Sequence, residues 1–558
     1  MEDFTGRPDK GAHADTGFCF RGQLIVPEKT ISETEADETS LKKSTVTTVL
    51  VMGCTLMARV LGFVRNVVIA ALFGASGQAD VLNAVFNIPN NFRKLLAEGA
   101  LSSAFIPVLS TLLIKDTGST KPRTLVRNIL TFLLLILIPL LIMAVVFARP
   151  VIGVFLDFPE AQKMDLASSL FRWICHYLLF ISLSAVLMGV LNSHNIFVIP
   201  ALTPVLFSVC VITSLLLFYR QLGIFAMAVG VLGGGLFQVL FQLPSFGRSG
   251  YDLIPHFDFR NEEFRRVLRL WFPVVATSSV FAINQQIAFR FASGLEEGSA
   301  SALSYSLVIW QLPFGVFSAS ITTVLFPRLS RQAASGDREG LIDSVSYGLR
   351  FLFLLLLPSA VFFVVMGVDI VGTIYQRGEF TLANTMLTAR VLTGYSLGLF
   401  SVGSFTFLQR FFYASRDYRT PFLIALLITA LDVSLSLWLK ETYLRVMGLA
   451  IANSIAFTVG FCLMVYFAYR RLGELDGRRV ITSATRILFA LVPSSAVLVG
   501  YFLTTRCVVT PFSSWMNLVV LLGGFTLYLV LTSFLYYVLG VEIVRSVFRR
   551  RLKRKLRR

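Results

Sequence analysis

The sequence predicts an all-α polytopic membrane protein of fourteen transmembrane helices: two pseudo-symmetric six-helix lobes, then two C-terminal helices. Three observations predict it. Of the 558 residues, 55% are hydrophobic and only 15% charged, where ordinary soluble domains carry about 25% charged residues. Apolar runs of spanning length, about 20 residues, recur along nearly the whole chain. The chain also matches itself at a shift of about 220 residues. The formal charge of +18 would raise nucleic-acid binding in a soluble protein, but in a membrane chain these cations belong to loops, and no nucleic acid is implied.

Residues 1–44 are polar and mixed in sign, with the acidic run "SETEADE", the wrong charge for the start of a signal peptide. They are expected to form a disordered cytoplasmic extension. Spans follow near 45–73, 78–113, 124–148, 165–191, 198–219 and 222–245, a first lobe over 45–245. The second set lies near 263–291, 298–327, 339–372, 382–412, 419–440 and 446–469, a lobe over 246–472. Two more, near 481–504 and 513–540, occupy 473–540.

An even count puts both termini on one side. Lys and Arg crowd the short loops of that side (Lys115, Lys121, Arg123, Arg127; Arg260, Arg265, Arg266; Arg328, Arg331) and are sparse in the opposite loops. By the positive-inside rule both termini are cytoplasmic. The tail 541–558 holds nine cations from Arg545 onward, each worth about 1 kcal/mol against an anionic leaflet. It reads equally as a topological anchor or as a lipid or partner site.

The repeat rests on three matches in order. "SSAFIPVLS" at 102–110 mirrors "TTVLFPRLS" at 322–330, and "FLLLILIPL" at 132–140 mirrors "FLFLLLLPS" at 351–359. The polar turns "NSHNIFVIP" and "ASRDYRTP" end at Pro200 and Pro421. Parallel repeats about an axis along the membrane normal are a transporter architecture, with the site between the halves near mid-membrane. Duplication for scaffolding alone is the plainer alternative.

Charges that break the apolar pattern carry the chemistry. Arg59 sits at the centre of the first span, with Arg65 about 9 Å further along. The second span begins near Asp80 and reaches Arg93, Lys94 and Glu98 about 20–27 Å deeper. A mid-bilayer charge costs at least about 2.5–3.5 kcal/mol, so it faces a partner or a wet cavity. Private pairs such as Arg59–Glu98 or Arg93–Asp80 would account for some of these charges. Two acids, however, cannot neutralise four cations, and arginine suits an anionic, bidentate guest such as a phosphate. Gly62 and Pro89 supply hinge positions in the two spans.

In the second half, Asp432 is a lone intramembrane carboxylate with Ser436 one turn on, and Asn284 and Asn453 lie at matching depths. Oxygen ligands around one carboxylate suit a monovalent cation or a proton relay; a protonated Asp432 hydrogen-bonded inside the bundle is the alternative. Arg290 stands near one mouth, as a cavity cation or a snorkelling one. The six cysteines and four histidines form no metal or disulfide pattern. No DxxxD or DDxxD motif marks an enzyme acting on polyprenyl diphosphates.

The block "ARVLGFVRNVVIAALFGASGQAD…NIPNNFRKLLAEGALSSAFIPVLS" resembles the signature of the MurJ/MviN lipid II flippases, over roughly residues 45–540. The resemblance implies a transporter, not an enzyme, of the multidrug/oligosaccharidyl-lipid/polysaccharide exporter superfamily. It would move undecaprenyl-diphosphate-linked disaccharide-pentapeptide across the bacterial cytoplasmic (inner) membrane for peptidoglycan synthesis. Another exporter of that superfamily, for polysaccharide-lipid or drugs, is the runner-up.

By this resemblance Arg59, Arg65 and Arg93 match essential cavity arginines, with Asp80, Lys94 and Glu98 beside them. The last two spans would form a groove for the polyprenyl tail. Asn284, Asp432, Ser436 and Asn453 fall on the spans that build a sodium site in some members, so Na+ or H+ coupling, or the membrane potential, is the implied energy source; no cofactor is implied. Expected partners are lipid II, membrane lipids and other cell-wall synthesis proteins, around a monomer. The chain departs from the family in its eighth span: Val308 stands where an arginine usually precedes the Pro-Gly element, and Arg290 is the candidate substitute.

Overall fold

The computed structural model describes residues 31–93, 100–115, 120–508 and 514–545, with backbone alone for 31–45, 100–103, 276–278, 506–508 and 514–515. The described residues form helices and short connections, with no strand among them. Among the described residues, eleven helices are long and apolar enough to cross a membrane, or thirteen if two bent pairs each count as one span. The expected fourteenth is the span at 78–113, whose described residues form two helices of 17 and 16 residues, with 94–99 outside the described residues. Asn83, Asn87, Asn90 and Asn91 make the first of these too polar for an uninterrupted crossing.

The first half comprises α1 (Ile31–Phe73), α2 (Gly77–Arg93), α3 (Ala100–Lys115), α4 (Lys121–Val146), α5 (Ala148–Phe155), α6 (Ala161–Ile174), α7 (Tyr177–Ser193), α8 (Val198–Leu222) and α9 (Phe225–Arg248). The second contains α10 (Glu262–Ser293), α11 (Ser299–Pro313), a π turn (Phe314–Ser318), α12 (Ala319–Ser335), α13 (Arg338–Tyr375), α14 (Leu382–Leu397), α15 (Leu399–Ala414), α16 (Arg419–Leu439) and α17 (Arg445–Leu472). Then come α18 (Gly477–Val508) and α19 (Ser514–Val538).

Two units partition the chain, Met1–Met52 and Gly53–Arg558. In the first, helix begins at Ile31, inside the stretch expected to be disordered; residues 1–30 lie outside the described residues. The basic tail beyond residue 545 does too.

Close approach of helices is set by small residues, as packing in lipid requires. Gly230 and Gly234 sit one turn apart on α9. A Cβ on Gly230 would come within 2.8 Å of the Val211 Cα on α8, and one on Gly234 within 3.2 Å of the Phe207 carbonyl oxygen. Within α13, Pro358 has no N–H, so the Leu354 carbonyl loses its helical donor. Tyr536 of α19 supplies one at 3.4 Å, and Tyr528 donates to the Pro358 carbonyl at 3.2 Å. The last helix, α19, is thus fastened where α13 has a broken hydrogen bond. At the end of α19 the buried Arg350 pairs with Glu542 at 2.5 Å.

The connection 249–261 is held along α4. Arg123 Nε donates to the Gly250 carbonyl at 2.7 Å, and Arg127 makes two bonds to Asp252 at 2.7 and 2.5 Å. Asn128 donates to the Asp258 carbonyl and accepts from its N–H, at 2.8 and 3.0 Å. Thr131 Oγ1 accepts from the His256 N–H at 2.8 Å. The lower part of α10 continues this attachment: Phe264 and Val267 are buried with Phe105, Leu109 and Ile129 of the first half. Past a 44° bend between Glu262–Val275 and Ser279–Ser293, Phe281 stacks on Phe457 of α17. The change-over between halves therefore falls inside α10.

The Arg127 hydrogen bonds hold the Asp252 carboxyl below the ordinary carboxylate range. A depressed carboxyl contributes stability above its unfolded pKa and loses it as pH falls through the lowered value. The tie should therefore be constant from neutral pH down to about 4 and weaken only below that. Arg127→Ala should speed amide hydrogen exchange over 250–258 by about 10-fold or more, the scale of a charged hydrogen bond. Unchanged exchange there would show the linker is held by other contacts.

Candidate functional site: an arginine group behind a sealed seam

Arg65 on α1 and Arg93 at the end of α2 lie near each other, and Arg59 stands six residues before Arg65 on α1. Arg65 lies between two rings, its guanidinium carbon 5.7 Å from the centroid of Phe86 and 5.5 Å from that of Phe207. Its Nε is buried with no hydrogen-bond partner. Arg93, in the last turn of α2, donates from Nε to Asn90 at 3.1 Å. Arg65, Arg93 and Tyr177 lie within electrostatic range of one another. Rings can attract a cation's face but cannot neutralise it.

Arg59 is exposed and reaches the other half. A Cβ on Gly315, in the π turn, would sit 3.2 Å from Arg59 Nη1. Single π turns of this kind recur at functional positions. Gly62 has open space where a side chain would be, and its carbonyl accepts from Asn66 at 2.8 Å. Pro89 is buried inside α2. Helix runs on unbroken through both expected hinge positions. Lys94 and Glu98 lie outside the described residues.

Asp80 belongs to a different structure. Its buried carboxylate accepts from the Gly298 and Ser301 N–H groups at 2.6 and 2.7 Å, capping the N-terminus of α11 in the opposite half. Glu297 returns the arrangement: its carboxylate accepts from the Gly77 N–H, the first amide of α2. Helix N-termini carry partial positive charge and unpaired donors, so each acid answers a helix end across the seam. Gly298 adopts φ +90°, and a Cβ there would lie 2.7 Å from the Ala75 carbonyl oxygen, so the approach requires glycine. Lys163 lies within electrostatic range of Asp80, Glu160 and Glu297.

Further ties follow along the seam. Tyr305 donates to the Gly74 carbonyl, and the Glu379 N–H to that of Ala71, both at 3.0 Å, which satisfies the carbonyl end of α1. Gln286 accepts from Asn87 and Asn91 at 3.5 and 3.4 Å and donates to the Phe155 carbonyl at 3.3 Å. Arg290 donates to the carbonyls of Gly153 and Val154 in the last turn of α5, where a cation is favoured. It is thus a seam residue, and the structure ties its guanidinium to α5 rather than assigning it to Val308's place. Glu297 and Gln286 were not singled out from sequence. The repeat shift held a clue, since it maps Gly77 onto Glu297.

A second group assembles around Asp432. Asn284 and Asn453 donate to one carboxylate oxygen, both at 2.8 Å, and Ser436 to the other at 3.2 Å. The four candidates from α10, α16 and α17 are therefore in contact. With its oxygens met by three donors, the carboxylate is satisfied as it stands.

The sequence pattern of the family described as "Lipid II flippase MurJ" matches residues 69–520. A probable lipid II flippase MurJ of Borreliella burgdorferi is 32% identical over 510 residues, 91% of this chain and 99% of that protein. One from Vibrio cholerae is 32% identical, covering 84% of this chain and 90% of that protein. A solved lipid II flippase MurJ in an inward closed conformation superposes with a TM-score of 0.73 at 25% identity, over 88% of this chain and 99% of that one. An inward-facing multidrug resistance MATE family transporter shares the fold alone, with a TM-score of 0.60 at 14% identity over 77% of this chain and 99% of that one.

Removing one seam acid should loosen the seal, since each capping acid is worth up to about 2 kcal/mol at a partly buried helix end. In a chain cleared of other cysteines, Asn83→Cys is shielded at the seam. Adding Glu297→Ala should raise its labelling rate by a membrane-impermeant maleimide at least several-fold. Equal rates in both backgrounds would mean that the acids do not hold the seam shut.

Proposed function

This chain belongs to the lipid II flippase MurJ family, and from that premise we propose that Arg59, Arg65 and Arg93 clamp the diphosphate of lipid II while two halves rock about the sealed seam. The protein is a multi-pass membrane transporter, not an enzyme. One observation carries the reading: Arg65 and Arg93 lie within electrostatic range of each other on the first half, with Arg59 against the π turn of the second. A dianionic guest held there touches both halves at once.

The seam end faces outward and both termini are cytoplasmic, in the bacterial inner membrane, as the distribution of Lys and Arg supports. Lipid II enters from the cytoplasmic side with its polyprenyl tail left in lipid, against α18 and α19. The headgroup then never crosses hydrocarbon, where its polar groups would each lose several kcal/mol of solvation. Diphosphate binding neutralises the mutual repulsion of Arg65 and Arg93 and draws Arg59 and the π turn together. Closing that end while the Asp80 and Glu297 caps release would open the site outward. The bend in α10, rather than Gly62 or Pro89, is the favoured hinge.

Return of the empty protein draws on the membrane potential or on a monovalent cation at Asp432. If Asn284 and Asn453 turn their amides, they present oxygens beside the carboxylate, a donor set suited to Na+.

Arg59→Ala, Arg65→Ala and Arg93→Ala should each abolish outer-leaflet appearance of labelled lipid II in cells lacking other flippases, with normal amounts of protein in the membrane. Normal transport in these variants would sink the clamp. Transport by Asp432→Asn should lose its response to the sodium gradient and keep its response to membrane potential. An unchanged sodium response would remove the cation from Asp432.

A further inference from the structure

The π turn has a second feature that the diphosphate clamp does not use. Trp310, one turn before it, stacks on Phe314 with ring centroids 5.2 Å apart and planes 17° from parallel. Trp310 is 8% exposed and its indole N–H donates to the Tyr395 carbonyl at 3.0 Å, so it is a fixed backing plate. Phe314 is only half-buried. Gln311 is exposed, although it lies inside a membrane-crossing segment, Ser299–Ser335. A primary amide left in hydrocarbon is costly. Residues 311 and 315 are one turn apart on the same side of the helix, and Gly315 is the residue that Arg59 approaches. Gln311 therefore lies on the helix face that Arg59 approaches.

An aromatic face beside a side-chain amide, next to a cationic pocket, has a recognisable chemistry. The face of an aromatic ring is electron-rich and accepts the polarised C–H groups on one side of a pyranose. An amide both donates and accepts, so it can bridge neighbouring sugar hydroxyls. The pyranose esterified to a diphosphate lies directly beside that diphosphate.

We propose that Phe314, backed by Trp310, and Gln311 form a pyranose subsite that holds the first sugar of the substrate while Arg59 holds the phosphate next to it. This rests on the diphosphate reading above. It assigns a specificity role to the segment where Val308 leaves the eighth span without its arginine. Recognition there passes from charge to stacking and amide hydrogen bonding.

The test compares binding of two lipids to the purified full-length protein: lipid II, and undecaprenyl diphosphate, which has no sugar. Phe314→Leu keeps an apolar side chain and removes the ring. It should lower the preference for lipid II over undecaprenyl diphosphate by about 3- to 10-fold, the scale of an aromatic contact. Phe314→Tyr should restore that preference. Gln311→Leu, at an exposed position that the fold does not depend on, should lower it similarly. An unchanged preference in Phe314→Leu and Gln311→Leu, whether or not both lipids weaken together, overturns the subsite. Failure of the clamp itself reads out separately, as undecaprenyl diphosphate binding that is indifferent to Arg59→Ala.

Discussion

Two helix N-termini meet across the seam, and each is capped by an acid from the other half. Asp80 takes the first amides of α11, and Glu297 takes the first amide of α2. Asp80 is buried while Glu297 is exposed, so separating the two helix ends would uncover one buried acid and leave both N-termini without their caps. The two caps act on one junction, because the acid at each helix start serves the other's N-terminus.

The seam also governs where the arginines can find company. With the α1–α2 connection shut against α11 and α14, Arg65 and Arg93 lie within electrostatic range of each other, and Arg59 lies at the π turn of the second half. Arg65 illustrates the strain of that position: two phenyl rings flank it and its Nε has no partner. An anionic oxygen would give that buried Nε the acceptor it lacks.

Much of this was legible in the sequence, for a physical reason. Arginines inside apolar runs are expensive, so they stand out; Asp432 and its three partners did too. The seam was harder to read. Asp80 and Arg290 were visible as charges, but their partners are backbone N–H and C=O groups of the other half, which carry no sequence signature. Arg123 likewise meets a backbone carbonyl, that of Gly250, while Arg127 pairs with the Asp252 carboxylate. They count as topology-setting cations in a loop tally, yet they fasten the 249–261 connection to α4. At α2 the asparagines serve the seam and lower the hydropathy below that of a lipid-facing span.

α10 joins these parts. Its lower section is buried in the first half, while Ser279–Ser293 carries Asn284 to Asp432 and, within two turns, Gln286, Arg290 and Ser293 to the seam. Asn284 and Gln286 are two residues apart on one helix, so they cannot rotate independently. A rotation of this helix would therefore act on the Asn284–Asp432 hydrogen bond and on the contacts to Asn87, Asn91 and the end of α5 together. Coupling of two sites needs a shared element with two arrangements that both sites bias, and this segment meets that requirement through direct hydrogen bonds. The bend at 275–279 is where such a rotation can be absorbed, because the clamp on α4 holds everything below it.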